Sequence, residues 1–136
     1  MDIIEAVIAH LESVLPCPVW DAYVPDQMEP DYPYVLVADT QPTSQIERLT
    51  VDDGMVFSRR IVVYFAGNSP VSVRAIAQKS RAALIGWTPG MVDGIAWDRV
   101  APVRNMGLPI VVDKDMPPVD GNPILWGADY YDLVGN

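Results

Sequence analysis

The chain has 136 residues, 50% hydrophobic and 20% charged, enough to bury the core of one domain, and we treat residues 1–136 as that domain. Its net charge of −9 disfavours sequence-specific nucleic-acid binding, which requires a basic surface. A single cysteine excludes an intrachain disulfide and a cysteine-rich metal site, and no apolar run approaches the roughly 20 residues of a membrane span.

The first predicted element is an amphipathic helix of about 14 residues, with apolar side chains at three- and four-residue steps. Asp2 and Glu5 have the spacing of a capping box, and Pro16 ends the pattern. His10 falls near the polar edge, where we expect a surface residue rather than a ligand or a base. The acidic start differs from the basic start of a signal peptide, so we expect synthesis in the cytoplasm.

A proline-rich connection follows, with a short strand predicted at Val19–Val24 and a strand in YPYVLVADT that is buried around Val35–Val37. The longest strand is predicted in VFSRRIVVYFAG. Between these strands lies the polar segment Gln41–Gly54, in which polar residues alternate in part with three apolar residues. They are Ile46, Leu49 and Val51. The segment is either a projecting β-arm that orders against a partner or an exposed loop, and the sequence leaves both open.

The second predicted helix follows directly in AGNSPVSVRAIAQKSRAALIGW. Ser69 suits the N-cap, Pro70 the first helical position, and Gly86 the residue after the end. The outward polar side consists of Arg74, Gln78 and Arg81. A strand, a glycine turn and a helix can form a phosphate loop, but this turn has one glycine and no lysine. We therefore interpret it as a packing hinge.

Further strands are predicted in GMVDGIAWDRVAPVRN and LPIVVDKD, with a possible edge strand at Ala128–Leu133. Strands thus precede and follow a single helix, which favours an α+β fold. We expect an antiparallel or mixed sheet of about four to six strands, with two main helices packed on one face.

The sequence contains no arrangement that indicates catalysis. The acidic groups at Asp52–Asp53 and Asp113–Asp115 lack calcium-loop spacing, and His10 has no orienting partner in view. We predict no catalytic residue, no metal ligand and no cofactor. A hydrolase with paired carboxylates stays open, because eighteen acidic residues allow many pairs.

Charge is distributed unevenly along the chain. Residues 1–58 contain eleven acids and one base, residues 59–104 seven bases and two acids, and residues 105–136 five acids and one base. Solvated faces explain such a pattern, but so does a subunit with one acidic and one basic surface, which suits head-to-tail self-association.

The chain resembles the tail terminator, or tail completion, proteins of long-tailed phages, especially those that infect actinobacteria. Three features carry the resemblance: the N-terminal helix running into YPYVLV, the strand RRIVVYFAGNSP feeding into VSVRAIAQKSRAALIGWTP, and the return through GMVDGIAWDRVAPVRN. It covers most of the chain and is weakest over residues 115–136.

The resemblance implies a structural virion protein in the tail–neck region, without enzyme activity or cofactor. Its fold is expected to be similar to that of tail-tube proteins. The family forms hexameric rings that cap the tail tube, end tail polymerisation and join the tail to the head connector. The partners would be further copies of the chain, the tail tube protein and the connector. DNA would pass the lumen without sequence-specific binding.

From the residues themselves we hypothesise a subunit interface. Basic residues of the middle segment would face the acidic N-terminal half of the next subunit, and the Gln41–Gly54 arm would reach across. The candidate residues are Arg59, Arg60, Arg74, Gln78, Arg81, Ile46, Arg48, Leu49 and Val51.

Two other functions remain open from the sequence. One is another neck protein, such as a head-closure or head–tail adaptor subunit. The other is a small ligand-binding or hydrolytic α+β domain, which would need a concave pocket with converging polar groups.

Overall fold

The computed structural model describes residues 1–25, 31–40, 45–48, 55–104 and 106–136, with the backbone alone for 45–48 and 55–56. The helices in this part of the chain are α1 (Ile3–Val14) and α2 (Pro70–Leu84). The strands are β1 (Val19–Asp21), β2 (Tyr34–Asp39), β3 (Gln45–Arg48), β4 (Met55–Gly67), β5 (Gly90–Val92), β6 (Ile95–Trp97), β7 (Ala101–Pro102), β8 (Leu108–Val112) and β9 (Leu125–Gly135).

Both helices begin and end as the sequence predicts. Asp2 accepts the Glu5 N–H at 2.8 Å, and the Glu5 carboxylate accepts the Asp2 N–H at 2.9 Å, which confirms the capping box. Ser69 caps α2 and Pro70 is its first residue. Gly86 has a φ of +83°, a left-handed conformation that glycine adopts readily at the end of a helix.

The sheet is mixed, because β1 pairs with β2 in parallel and the other pairings are antiparallel. Its order is β1-β2-β4-β9-β6-β5, with β3 beside β4 and with β7 and β8 beside β9. Short strands lie end to end: β2 and β3 share one edge of β4, and β6, β7 and β8 share one edge of β9. The predicted α+β fold class is therefore confirmed.

One face of the sheet carries both helices. Alternate β4 residues, Ile61, Val63 and Phe65, are fully buried against them. The helices contribute Ile3, Ile4, Val7 and Leu11 from α1, and Val73, Ile76, Ala77 and Leu84 from α2. At about 25 cal/mol per Å² of apolar surface, this core is the main stabilising term of the fold.

The predicted edge strand at Ala128–Leu133 is in fact central. β9 pairs with β4 from Phe57↔Gly135 to Gly67↔Leu125, and β6, β7 and β8 pair with its other side. The edge assignment was wrong, because the strand has neighbours on both of its sides. Tyr131 and Leu133 of the strand are in fact fully buried.

The predicted arm is described only in part. β3 pairs antiparallel with the start of β4, so residues 45–48 belong to the sheet. Leu49, Val51 and residues 52–54 lie outside the described residues, as do the side chains of Ile46 and Arg48.

Candidate subunit interface

The structure places the five predicted interface residues that it describes with side chains on separate surfaces. Arg59 and Arg60 are neighbours on β4, so their side chains point to opposite faces of the sheet. Arg74, Gln78 and Arg81 lie together on the exposed side of α2. The predicted basic surface is therefore divided, and only the α2 residues form a continuous patch.

Arg59 and Arg60 each have a carboxylate partner within the chain. On the face without helices, Arg60 Nε donates to Asp132 Oδ1 at 2.9 Å and Nη2 to Oδ2 at 3.3 Å. This hydrogen bonding raises the pKa of Arg60. On the helix-bearing face, Arg59 Nε lies 3.7 Å from Asp39 Oδ1. Partial burial raises the pKa of Asp39, and Arg59 opposes that rise.

Arg81 joins α2 to β9. Its Nε donates to Asp129 Oδ2 at 2.6 Å and its Nη2 to Oδ1 at 3.2 Å, a bidentate geometry that raises the pKa of Arg81. The guanidinium also lies 5.8 Å from the ring centroid of Phe65. The pair borders a cleft of about 80 Å³ that Ile85 and Val103 also line. The charge of Arg81 is thus paired with a carboxylate of the same chain.

Arg74 differs from these three arginines. Its Nε donates to the Pro70 carbonyl at 3.2 Å, and it forms no ion pair with any residue described. Residues 61–92 contain no aspartate or glutamate, so α2 carries Arg74, Lys79 and Arg81 without an acid. Among the predicted interface arginines whose side chains the structure describes, Arg74 is accordingly the one whose charge is available to a partner.

The two helices carry opposite charges. α1 contains Glu5 and Glu12, is capped by Asp2, and has no lysine or arginine. Glu12 is exposed and forms no ion pair within the described part of the chain. Both helices lie on the same face of the sheet, but α1 packs on β1 and β2 while α2 packs on β4, β8 and β9. The acidic and basic helices therefore lie toward opposite edges of that face.

His10 has a structural role that the sequence analysis missed. Its Nε2 is 2.9 Å from the Ala83 carbonyl, and its ring stacks on Trp87 at 4.0 Å with an interplanar angle of 1°. It therefore ties α1 to the end of α2. The available signal was Trp87 directly after the helix-ending Gly86, a position whose side chain often packs back on the helix.

The face of the sheet without helices is rich in aromatic side chains. Tyr34, Tyr64 and Trp126 are partly exposed there, and the Tyr64 and Trp126 ring centroids are 6.1 Å apart. They line a cleft of about 190 Å³ with Asp113 and Met116. Burial, with the nearby Asp113 carboxylate as a lesser cause, raises the pKa of Tyr34. Partly exposed aromatic side chains of this kind are common in contacts with another protein surface.

The described residues contain no group of three or more His, Cys, Asp or Glu side chains that could hold a metal ion. None of the helices in the described ranges has the length and hydropathy to cross a membrane. Cys17 is half-buried, and this burial raises the pKa of its thiol, with Lys79 opposing.

The comparisons with known proteins show the fold alone. No protein-family model matches the chain, and no curated protein matches it. Among solved structures, it is similar to a chain of the "Virion of native gene transfer agent (GTA) particle", with a TM-score of 0.65 and 14% sequence identity. The match covers 99% of this chain and 96% of that chain. The whole chain therefore shares its fold with a chain of a virion.

Proposed function

We propose that this chain is a structural subunit of a phage-like virion and not an enzyme. The observation that carries the proposal is the fold match, which extends over nearly the full length of both chains. The sequence resemblance to phage tail terminator proteins, which rests on the order of the predicted elements and on the quoted segments, supports the same role.

Within the virion, the function that we propose is tail termination. The chain would fold as one domain, assemble as a hexameric ring on the end of the tail tube, stop its polymerisation and join the tail to the head connector. It would be made in the host cytoplasm and reside in the tail–neck region, with DNA passing its lumen without sequence-specific contacts. The end of α2, with the sequence ALIGW, supports this, because it is the closest local likeness to that family.

The ring interface that we propose keeps the residues predicted from the sequence. They are Arg59, Arg60, Arg74, Gln78, Arg81, Ile46, Arg48, Leu49 and Val51. Arg59, Arg60 and Arg81 are each already paired with an aspartate of their own chain. In the ring they would contact a neighbour in competition with that internal pair. Arg74 would meet the neighbour without such competition.

Particles assembled without this protein test the function. Negative-stain electron microscopy is expected to show overlong tails that are not attached to heads, because nothing stops polymerisation of the tube. Resupplying the purified protein should stop tail growth and restore joining.

The same images separate the alternative, a head-closure or adaptor subunit. Tails of normal length without heads would support that neck role and contradict tail termination. Normal, complete particles would contradict both roles and leave a small ligand-binding or hydrolytic domain as the remaining candidate.

A further inference from the structure

The outward side of α2 is basic and the outward side of α1 is acidic. In the described part of the chain, no other element covers either side. Arg81 bonds to Asp129 on β9, which marks the side of α2 that faces away from α1. Arg74 and Gln78 precede Arg81 by seven and three residues and share that side. Ile85, 49% exposed, extends the same side toward the end of the helix.

The acidic side of α1 faces the other way. His10 bonds to Ala83 and therefore points toward α2. Glu12 follows His10 by two residues, a rotation of about 200° at 3.6 residues per turn, so it lies on the far side of α1. Glu5 precedes Glu12 by seven residues and shares that side, with the exposed Ala9 between them.

We infer that the Arg74 side of α2 binds the Glu5–Glu12 side of α1 in a second copy of this chain. Charge complementarity selects this occupant, because α2 has no acid and α1 has no lysine or arginine. Ala9 permits close approach of the two helices, and Ile85 supplies apolar contact.

A symmetric contact between the Arg74 sides of two α2 helices fits less well, because it would bring Arg74 of one copy against a helix side that also carries Arg74 and has no acid. Contact between α2 and the α1 of a neighbour is heterologous, so each copy still offers one free surface and a ring can close. The inference rests on the proposed ring and names the residues of its contact.

Charge reversal tests the inference in solution by native mass spectrometry and light scattering. The wild-type chain should form oligomers that weaken as salt is raised, because exposed ion pairs are screened. Arg74→Glu and Glu12→Arg should each weaken self-association about tenfold or more, since like charges then face each other.

A mixture of the two single variants provides the decisive experiment. An equimolar mixture of the Arg74→Glu and Glu12→Arg chains should co-assemble, because every contact in an alternating assembly is again complementary. The double variant should also assemble. Arg99→Glu, which changes the same charge at an exposed position outside both helices, should assemble like the wild type.

Three results would overturn the inference: a monomeric wild type at all concentrations, single variants that assemble normally, or a mixture that stays apart. None of these decides the proposed function, which depends on tail length in particles that lack the protein. Overlong tails together with normally assembling variants would keep the function and discard this contact.

Discussion

At the scale of single residues, the two arginines of α2 have different roles. Arg81 is bound bidentately by Asp129, whose side chain is 18% exposed, and so fastens α2 to the sheet. Arg74 lies seven residues before Arg81 on the same side of α2. Among the described residues, its side chain bonds only to the Pro70 carbonyl. The two share a helix and an exposed side, but only Arg81 bridges two elements of the fold.

Alanine substitution should separate these roles. Arg81→Ala is expected to lower the free energy of unfolding by about 1 kcal/mol, because the pair is bidentate but half-exposed on the arginine side. Arg74→Ala, the matched control, should change it by less than about 0.5 kcal/mol. Urea denaturation at concentrations where the chain is monomeric measures both, and equal losses would contradict the assignment.

At the scale of elements, the turn between β4 and α2 is held by close packing. A Cβ atom added at Gly67 would lie 2.8 Å from Val73 Cγ2 and 3.3 Å from Pro33 Cβ. The turn thus brings the strand, the helix and the proline before β2 into contact. No room for a side chain remains, which agrees with the interpretation of a packing hinge.

Gly67 precedes α2 and Gly86 follows it, and substitutions at these two glycines should lower stability for different reasons. Gly67→Ala is expected to cost about 1–3 kcal/mol of stability through overpacking. Gly86→Ala should cost about 1–2 kcal/mol, because its φ of +83° is unfavourable for a residue with a Cβ.

Asparagine distinguishes the two causes in thermal melts. It tolerates the left-handed conformation, so Gly86→Asn should recover part of the loss, whereas Gly67→Asn should be worse than Gly67→Ala. Recovery at Gly67 would contradict the steric explanation.

At the scale of the whole molecule, β9 holds the sheet together. It pairs with β4 on one side and with β6, β7 and β8 on the other, so the last strand of the chain connects its first and second halves. The two arginine–aspartate pairs add to this connection, since Asp129 and Asp132 both belong to β9.

Removal of β9 should therefore abolish folding. A chain that ends before Leu125 is expected to lose its cooperative thermal transition in circular dichroism, because β4, β6, β7 and β8 lose their shared partner and the core loses Tyr131 and Leu133. A cooperative transition in the truncated chain would show that β9 is dispensable, as an edge strand would be.

Much of the local structure could be predicted from the sequence, but the candidate site only in part. The Asp2–Glu5 capping box lies within one helical turn, so its pattern is visible in the letters. Arg60 and Asp132 are 72 residues apart, and Arg81 and Asp129 are 48 apart. No local sequence pattern predicts such distant pairs. The sequence therefore suggested one basic surface, whereas Arg59, Arg60 and Arg81 are paired within the chain and Arg74 forms no ion pair with any described residue.

The sequence by itself determined the helices, their ends, the long strand β4 and the α+β class, because capping, periodicity and turn residues act over a few neighbouring positions. Only the tertiary structure decided that β9 is central, that His10 stacks on Trp87, and that Arg74 rather than Arg60 or Arg81 is available to a partner. These depend on contacts between distant segments, whose geometry arises when the core of helices and sheet closes.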